Sequence, residues 1–372
     1  MECSETGFLA ALARITLISS VELAAPLRFF GSAGRLWRAP AAALLASGLK
    51  PASAGLLNRE RRSLDPDRET ALIYKEGLTA LTWADPDYPR SLRELPGAPP
   101  IIFVRGSVAV LQTDRLIAVV GTRRLTTYGE AAAKLICRPL AAAGVGIVSG
   151  LALGIDAVAH AAALDGSGPT VAVLGSGVDR ASVGPRSNFG LAERIVSAGG
   201  ALVSEYPPGV EGQKHHFPLR NRIIAGLSRG TVVIEAALRS GALITAAAAL
   251  EYGRDVFSVP GPITQPASAG SNDLIRQGAT PVVSAAEILE YYGWKPAGTG
   301  RIALAELDPE QLLVCRTLAG GPLEAETLSG ASGLDISRLT AALARLEIAG
   351  LVEKIGNQWS PRFDSPRQRR LI

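Results

Sequence analysis

The chain has 372 residues, 47% of them hydrophobic, and a formal net charge of +4 at pH 7. This length and apolar content suffice for two or three domains with real cores, which excludes a disordered chain. The modest positive charge permits an anionic partner without requiring one, so the placement of the basic residues matters more than their number.

The cysteines and the termini indicate the compartment. Cys3, Cys137 and Cys315 are far apart and never form a CxxC pair, which argues against disulfides and against a metal site. Glu2 and Glu5 stand where a leader peptide would be basic, and no apolar run reaches the roughly 18 residues of a membrane span. We therefore expect a cytoplasmic protein without a membrane span.

The sequence pattern divides the chain into three parts. Residues 1–75 show helical spacing without strand alternation, which predicts a small helical domain. Residues 76–297 alternate β-branched runs with alanine-rich helical stretches, which predicts an α/β doubly wound, mostly parallel sheet with helices on both faces. The predicted strands lie in PPIIFVRG, LIAVVGT, GVGIVSG, TVAVLGS, ALVSEY, GTVVIEA, DVFSVPG and TPVVS.

The pattern breaks at the proline- and glycine-containing stretch KPAGTGR, residues 295–301, and a third unit follows the linker placed at 298–306. Residues 307–361 predict three helices and a β-hairpin, an arrangement typical of a winged helix. Asp308 and Gln311 form a capping signal for the first helix, and Gly356 marks the hairpin turn. Residues 362–372 hold four arginines and one aspartate, and we interpret them as a solvated basic tail.

The ligand site is expected beyond the carboxyl ends of the parallel strands. After LIAVV come Gly121, Thr122, Arg123 and Arg124, which supply a close backbone approach, a hydroxyl and two cations for an anion. This is not the fingerprint of a dinucleotide site, and alone it is more often a routine turn. Small residues end the next two strands as well, at Ser149-Gly150, Gly154-Ile155-Asp156 and Gly175-Ser176-Gly177, and together these turns predict one anion-binding rim.

The segment HHFPLRNRIIAGLSRG, residues 215–230, predicts a helix with Leu219, Ile223 and Leu227 as its buried stripe. At about 100° per residue, the arginines at 220 and 222 flank that stripe. The residues before the helix, Lys214, His215, His216 and Phe217, would then hold a phosphate and stack a base at its positive end. A capped helix with Phe217 in the core is an equally good interpretation of that ring.

The sequence shows no convincing catalytic set. His160 is interpreted as a helix residue bonded to a neighbour, and no serine or cysteine lies in a nucleophile elbow. Glu235 ends a strand and could be a base, although a pair with Arg239 or Arg254 is the simpler use. His215 and His216 are adjacent, so we expect their side chains to diverge, without a third metal ligand.

At these residues the chain resembles the DNA-processing protein A family (DprA, also called Smf). The motifs run from Val119 to Ala279 and are VVGTRR, IVSGLALGIDAVAHAAAL, VLGSGVD, SEYPPG, HFPLRNRIIAGLS, VVIEAALRSGALITAAAALEYGRDVFSVPG and GSNDLIRQGA. The chain departs from the family at TLISSVELAAPL, where many members have a glycine-rich helix-hairpin-helix turn. It also has Val183-Gly184 before Pro185, where the family usually has a tyrosine.

The resemblance implies an extended Rossmann-like domain with an N-terminal helical, SAM-like domain and a C-terminal winged helix. It implies a cytoplasmic homodimer that binds single-stranded DNA, protects it, and helps load the RecA recombinase in natural transformation, without a cofactor, a metal or catalysis. The expected DNA-binding residues are Gly121, Thr122, Arg123, Arg124, Ser149, Gly150, Lys214, Phe217, Arg220, Asn221 and Arg222.

Two alternatives remain open. A similar sheet serves nucleotide phosphoribohydrolases, but these carry a PGGxGTxxE motif, and the comparable stretch here is EAALRSGALITA. The DNA could also be bound by the winged helix, whose third helix has Arg338 and Arg345 on one face. An exposed helix surface is the simpler interpretation of these two arginines.

Overall fold

The structure, a computed structural model, describes residues 4–294, 307–348 and 351–361. The chain divides into two compact units, Met1–Pro296 and Ala297–Ile372. The linker 298–306 and the basic tail 362–372 expected from the sequence lie outside the described residues, as does Cys3.

The first unit begins with a helical bundle, the N-terminal bundle. Its helices are α1 (Glu5–Arg14), α2 (Ser20–Phe30), α3 (Ala33–Arg38), α4 (Ala41–Ala46), α5 (Pro51–Glu60) and α6 (Pro66–Lys75). Ser4, Ser19 and Ser32 cap the first three helices by accepting bonds from backbone amides. The buried side chains of the bundle form one apolar cluster with sheet residues such as Phe103 and Leu202, so bundle and sheet share a core.

Behind the bundle lies a sheet whose strands are β1 (Thr79–Thr82), β2 (Ile101–Gly106), β3 (Leu116–Val120), β4 (Gly146–Ser149), β5 (Thr170–Val173), β6 (Ala201–Ser204), β7 (Gly230–Val233), β8 (Asp255–Ser258) and β9 (Thr280–Pro281). Their order is β1-β2-β6-β5-β4-β3-β7-β8-β9. Strands β3 to β9 pair in parallel, whereas β1 and β2 join antiparallel at one edge. The sequence analysis predicted every strand except β1.

Helices cover both faces of this sheet. They are α7 (Arg90–Arg93), α8 (Thr127–Ala142), α9 (Ile155–Asp165), α10 (Phe189–Ser197), α11 (His216–Leu227), α12 (Gly241–Glu251), α13 (Ala269–Arg276) and α14 (Ala285–Tyr291), with short 3₁₀ turns at Ala109–Gln112, Arg186–Asn188 and Pro266–Ser268. Alternate residues of β3 face opposite ways: Ile117 and Val119 pack with α8, α9 and α14, whereas Ala118 and Val120 pack with α11 and α12. The predicted doubly wound Rossmann-like architecture is confirmed.

The second unit contains α15 (Pro309–Leu318), β10 (Leu323–Glu324), α16 (Ala325–Ser332), α17 (Ile336–Ile348), β11 (Val352–Ile355) and β12 (Gln358–Pro361). The strands pair in the order β10-β12-β11. The predicted capping box is present, because Asp308 and Gln311 each accept the backbone amide of the other. Three helices and a hairpin confirm the winged helix.

No helix among residues 4–294, 307–348 and 351–361 has both the length and the apolar character needed to cross a membrane.

His160 lies in the core between α9 and β5. The Thr170 hydroxyl donates to the Ile147 carbonyl at 2.7 Å, so the His160 Nδ1–H must donate to Thr170 Oγ1, also at 2.7 Å. Burial lowers the pKa of His160 to about 3. The imidazole is therefore neutral in the folded chain, and its structural role agrees with the sequence interpretation.

This histidine makes stability depend on pH. The unfolded imidazole takes up a proton near pH 6.5, but the folded one does so only near pH 3, so stability falls as the pH falls through that window. Between pH 7 and pH 5 we expect the free energy of unfolding to fall by about 2 kcal/mol more than in His160→Gln, measured by urea unfolding. Equal losses in the two proteins would contradict this assignment.

Candidate nucleic-acid interface

A cleft opens at the carboxyl edge of the sheet, where the winding changes direction. From β3 the chain proceeds to β4, β5 and β6 on one side and then returns to β7 on the other side of β3. Loops after neighbouring strands diverge at such a point and leave a crevice. Two adjoining hollows occupy it.

The larger hollow has a volume of about 570 Å³. It is lined by Val120, Gly121, Thr122, Arg123, Arg124, Ala152, Asp156, Lys214, Phe217, Pro218, Arg220, Asn221, Ile224, Ser240, Gly241, Ala242, Ile244 and Thr245. The smaller hollow, of about 330 Å³, is lined by Arg123, Gly150, Ala152, Leu153, Leu174, Gly175, Ser176, Ser182, Gly184, Pro185, Gly212, Phe217 and Arg220. Most of the residues expected from the sequence therefore lie together.

Arg123 and Phe217 border both hollows. The Arg123 guanidinium carbon lies 5.3 Å from the centroid of the Phe217 ring, within the range of a cation–π contact. Phe217 is half-buried and Arg123 is exposed. Of the two interpretations of Phe217, the structure favours a ring at the cleft wall over one enclosed in the core.

The loop that carries Arg123 and Arg124 is fixed at both ends by Glu235. The Thr122 amide donates to the Glu235 carbonyl at 2.7 Å, and the Thr126 hydroxyl donates to the Glu235 carboxylate at 2.9 Å. Thr126 also caps α8. Glu235 thus pairs with neither Arg239 nor Arg254, contrary to the sequence interpretation, because the α8 N-terminus lies directly over its carboxylate.

Gly154 allows this loop to approach the start of α9. Its φ of 84° lies in the left-handed region, and a β-carbon there would collide with the Thr122 carbonyl oxygen and lie 2.8 Å from the Arg123 α-carbon. A glycine is therefore required for the backbone contact that places Arg123 at the rim.

Arg220 lies beneath the floor of both hollows. It is buried, and its guanidinium donates to the carbonyls of Gly150, at 2.6 Å, and Val173. The Asp156 carboxylate accepts the Gly150 amide at 3.1 Å. Burial lowers the pKa of Arg220 to about 10 and raises the pKa of Asp156, while each charge partly offsets the effect on the other. Arg220 therefore keeps its charge at neutral pH and holds the floor.

Ser149 does not face the cleft, although the sequence analysis expected it there. It is fully buried, and its hydroxyl donates to the Val119 carbonyl at 2.6 Å, which joins β4 to β3. Its neighbour Gly150 does line the smaller hollow. A glycine is needed at this position because a β-carbon would overlap the Arg220 guanidinium.

Arg222 is the main correction to the expected site. Its guanidinium pairs with the Glu205 carboxylate at 2.6 Å and donates to the Ser20 hydroxyl at 2.6 Å and the Gly97 carbonyl at 2.8 Å. Ser20 belongs to α2, so Arg222 faces the N-terminal bundle rather than the cleft. The cause is the start of α2, which brings the Ser20 hydroxyl to this side of α11.

The residues around the start of α11 also differ in role. Lys214 is exposed at the larger hollow, whereas His216 is buried and stacks on Tyr206 with ring centroids 4.1 Å apart. His215 and His216 do not diverge, since their rings meet edge to face at 4.4 Å. No group of three metal-ligating side chains occurs in the part of the chain that the structure describes.

Sequence analysis missed part of the wall. Ser240, Gly241 and Ile244 start α12 at the larger hollow, and Leu153 lies at the smaller one. Ser240 and Gly241 follow β7, so the rule that identified Gly121 would have found them. Leu153 and Ile244 gave no signal, because an apolar residue in a helix or loop is more often buried.

Fold and site together define a Rossmann-like α/β protein with a cationic cleft at the carboxyl edge of its sheet, joined to a winged helix. Two known families match the sequence: DNA recombination-mediator protein A over residues 79–293, and the DprA winged helix domain over residues 302–357. The chain belongs to the DNA-processing protein A (DprA/Smf) family.

Individual relatives support this family assignment. Protein Smf of Escherichia coli (strain K12) is 50% identical over 203 residues, which are 55% of this chain and 54% of that protein, so the match spans about half of the relative. The crystal structure of DNA processing protein A from Streptococcus pneumoniae is similar with a TM-score of 0.67 and 32% identity, covering 78% of this chain and 98% of that one. DNA processing protein A from Helicobacter pylori, solved for insight into its single-stranded DNA binding mode, has a TM-score of 0.52 and 28% identity, covering 58% and 95%.

The placement of Arg222 leads to a stability prediction. We expect Arg222→Ala to lower the free energy of unfolding by about 3–5 kcal/mol, because it leaves the buried Glu205 carboxylate without its cation. Urea unfolding measures this loss, and Arg222→Ala combined with Glu205→Gln should recover part of it. Wild-type stability of Arg222→Ala would contradict the assignment.

Proposed function

We propose that the chain binds single-stranded DNA in the cleft, with the exposed cations Arg123, Arg124 and Lys214 on the phosphates and Phe217 against a base. Gly121, Thr122, Gly150 and Asn221 complete the lining. Arg220 contributes its charge from beneath the floor, whereas Ser149 and Arg222 are left out of the contact set for the structural reasons given above.

The imbalance of charge in the cleft carries this proposal. Four of the lining residues are cationic, and the one carboxylate among them, Asp156, is buried and engaged by backbone amides. An anion entering the cleft would therefore meet cations, and no exposed carboxylate among the lining residues would compete with it. Phosphates of a flexible strand fit such a groove, and the single-stranded DNA binding reported for the Helicobacter relative supports the same ligand.

We infer that the protein acts as a recombination mediator rather than as an enzyme. By family membership it would protect incoming single-stranded DNA, load the RecA recombinase during natural transformation, and work as a homodimer in the cytoplasm without a cofactor. The described residues support a binding role over that of a phosphoribohydrolase, because Glu235 is 1% exposed, engages Thr126 and does not line either hollow.

The winged helix is the weaker candidate for DNA binding. Arg338 pairs with Glu310 at 2.8 Å, and Arg345 pairs with Asp308 at 3.1 Å. Both arginines of α17 are thus paired with carboxylates at the start of α15 and its N-cap, which leaves less positive charge for phosphates than the cleft offers.

We expect the double variant Arg123→Ala/Lys214→Ala to bind an oligo-dT strand more weakly and with a shallower salt dependence. The slope of log K against log salt is negative, and each lost phosphate contact should reduce its magnitude by about 0.7. Fluorescence anisotropy across a salt series measures this slope. Arg90→Ala is the matched control, because the Arg90 side chain is 91% exposed and lies outside the cleft.

Two outcomes would contradict the proposal. One is an unchanged slope in the double variant with wild-type affinity for the strand. The other is robust release of base from nucleoside monophosphates by the wild-type chain, which would favour the phosphoribohydrolase.

A further inference from the structure

Two large apolar side chains stand open to solvent inside the cleft. Leu153 is 51% exposed and lines the smaller hollow, and Ile244 is 46% exposed and lines the larger one. They line different hollows, with the Arg123–Phe217 contact at the border of both. Each hollow therefore contains one exposed aliphatic side chain, and cationic residues line both hollows.

The fold imposes the exposure of Leu153. Leu151 has a φ of 57°, in the left-handed region that a residue with a β-carbon rarely adopts. The Asn188 side-chain amide donates to the Leu151 carbonyl at 2.9 Å, and the Asp156 carboxylate accepts the Gly150 backbone amide at 3.1 Å. This conformation buries Leu151 completely and leaves Leu153 in the hollow. Stored backbone strain of this kind is typical of binding sites.

Ile244 does not belong to the buried face of its helix. It lies in the second turn of α12, where Ala242, Thr245 and Ala246 supply the buried face. A β-branched residue at an exposed helix position adds little to helix stability. A contact with a ligand in the larger hollow would give this side chain a role.

The charged residues that line the same hollows indicate what kind of ligand would bind there. A molecule that satisfies both kinds of surface has anionic groups for Arg123, Arg124 and Lys214 and flat apolar faces for Leu153 and Ile244. An unpaired DNA strand has both, whereas in a duplex the base faces are stacked on one another and only phosphates and base edges are available.

We propose that Leu153 and Ile244 each contact the face of an unpaired base, and that these contacts give the cleft its preference for single strands over duplexes. The inference rests on the proposed function and adds to it the residues that set selectivity. Neither side chain can donate or accept a hydrogen bond, so the contacts would accept any base.

The experiment separates base contacts from phosphate contacts. Binding of an oligo-dT strand is compared with binding of an abasic strand that has the same number of phosphates, and with a duplex of the same length. The wild-type chain and the double variant Leu153→Ser/Ile244→Ser are titrated across a salt series. Leu250→Ser is the control, because Leu250 is 62% exposed on the same helix as Ile244 and does not line either hollow.

We expect the wild-type chain to bind oligo-dT on the order of tenfold or more tightly than the abasic strand. The double variant should lose most of that difference and most of the preference over duplex. Its salt dependence should match the wild type, because the phosphate contacts are intact. Both substituted positions are half-exposed, so the thermal unfolding midpoint should not change, and Leu250→Ser should behave as the wild type.

Several outcomes would overturn the inference. They are equal wild-type affinity for the oligo-dT and abasic strands, an equal loss of affinity for both strands in the double variant, and the same loss in Leu250→Ser. If the wild-type chain bound neither strand, the proposed function would fail, and this inference would fail with it.

Discussion

The cleft depends on one buried cation. Arg220 lies under the point where two parallel strands end and binds the carbonyls of Gly150 and Val173. Asp156 binds the amide of the same glycine from the other side. A buried guanidinium without such partners would be strongly destabilising, so the loops after β4 and β5 are constrained to bring their carbonyls to it. The floor of both hollows follows from that constraint.

The walls follow from two further contacts. Glu235 fixes the loop after β3 through the Thr122 amide and the Thr126 hydroxyl, and Arg123 and Arg124 are exposed at the rim. On the opposite wall, α11 is held by the Arg222–Glu205 pair, so that Lys214 and Phe217 project from its start. The exposed cations Arg123, Arg124 and Lys214 are thus positioned by largely buried charged groups, namely Glu235 and the Arg222–Glu205 pair.

The sequence predicted the strands β2 to β9, the location of the cleft and the winged-helix cap at Asp308, because each of these depends on local patterns. It did not show that Arg123 is exposed at the cleft whereas Arg220 and Arg222 are engaged in contacts within the protein. All three lie in basic motifs, but only the tertiary structure shows that Arg220 is buried at the ends of β4 and β5 and that Arg222 is paired with Glu205. Ser149 was expected in the cleft for the same reason, since a hydroxyl at a strand end can face the crevice or, as here, the next strand. Leu153 and Ile244 could not be found at all, because their exposure is a property of the fold.

A crystal structure of the chain with a short oligo-dT strand would test the account most directly. The account predicts phosphates within hydrogen-bond distance of Arg123, Arg124 and Lys214, while Arg220 and Arg222 keep their present partners. A strand bound to the winged helix with the cleft empty, or one that draws Arg222 away from Glu205, would contradict it.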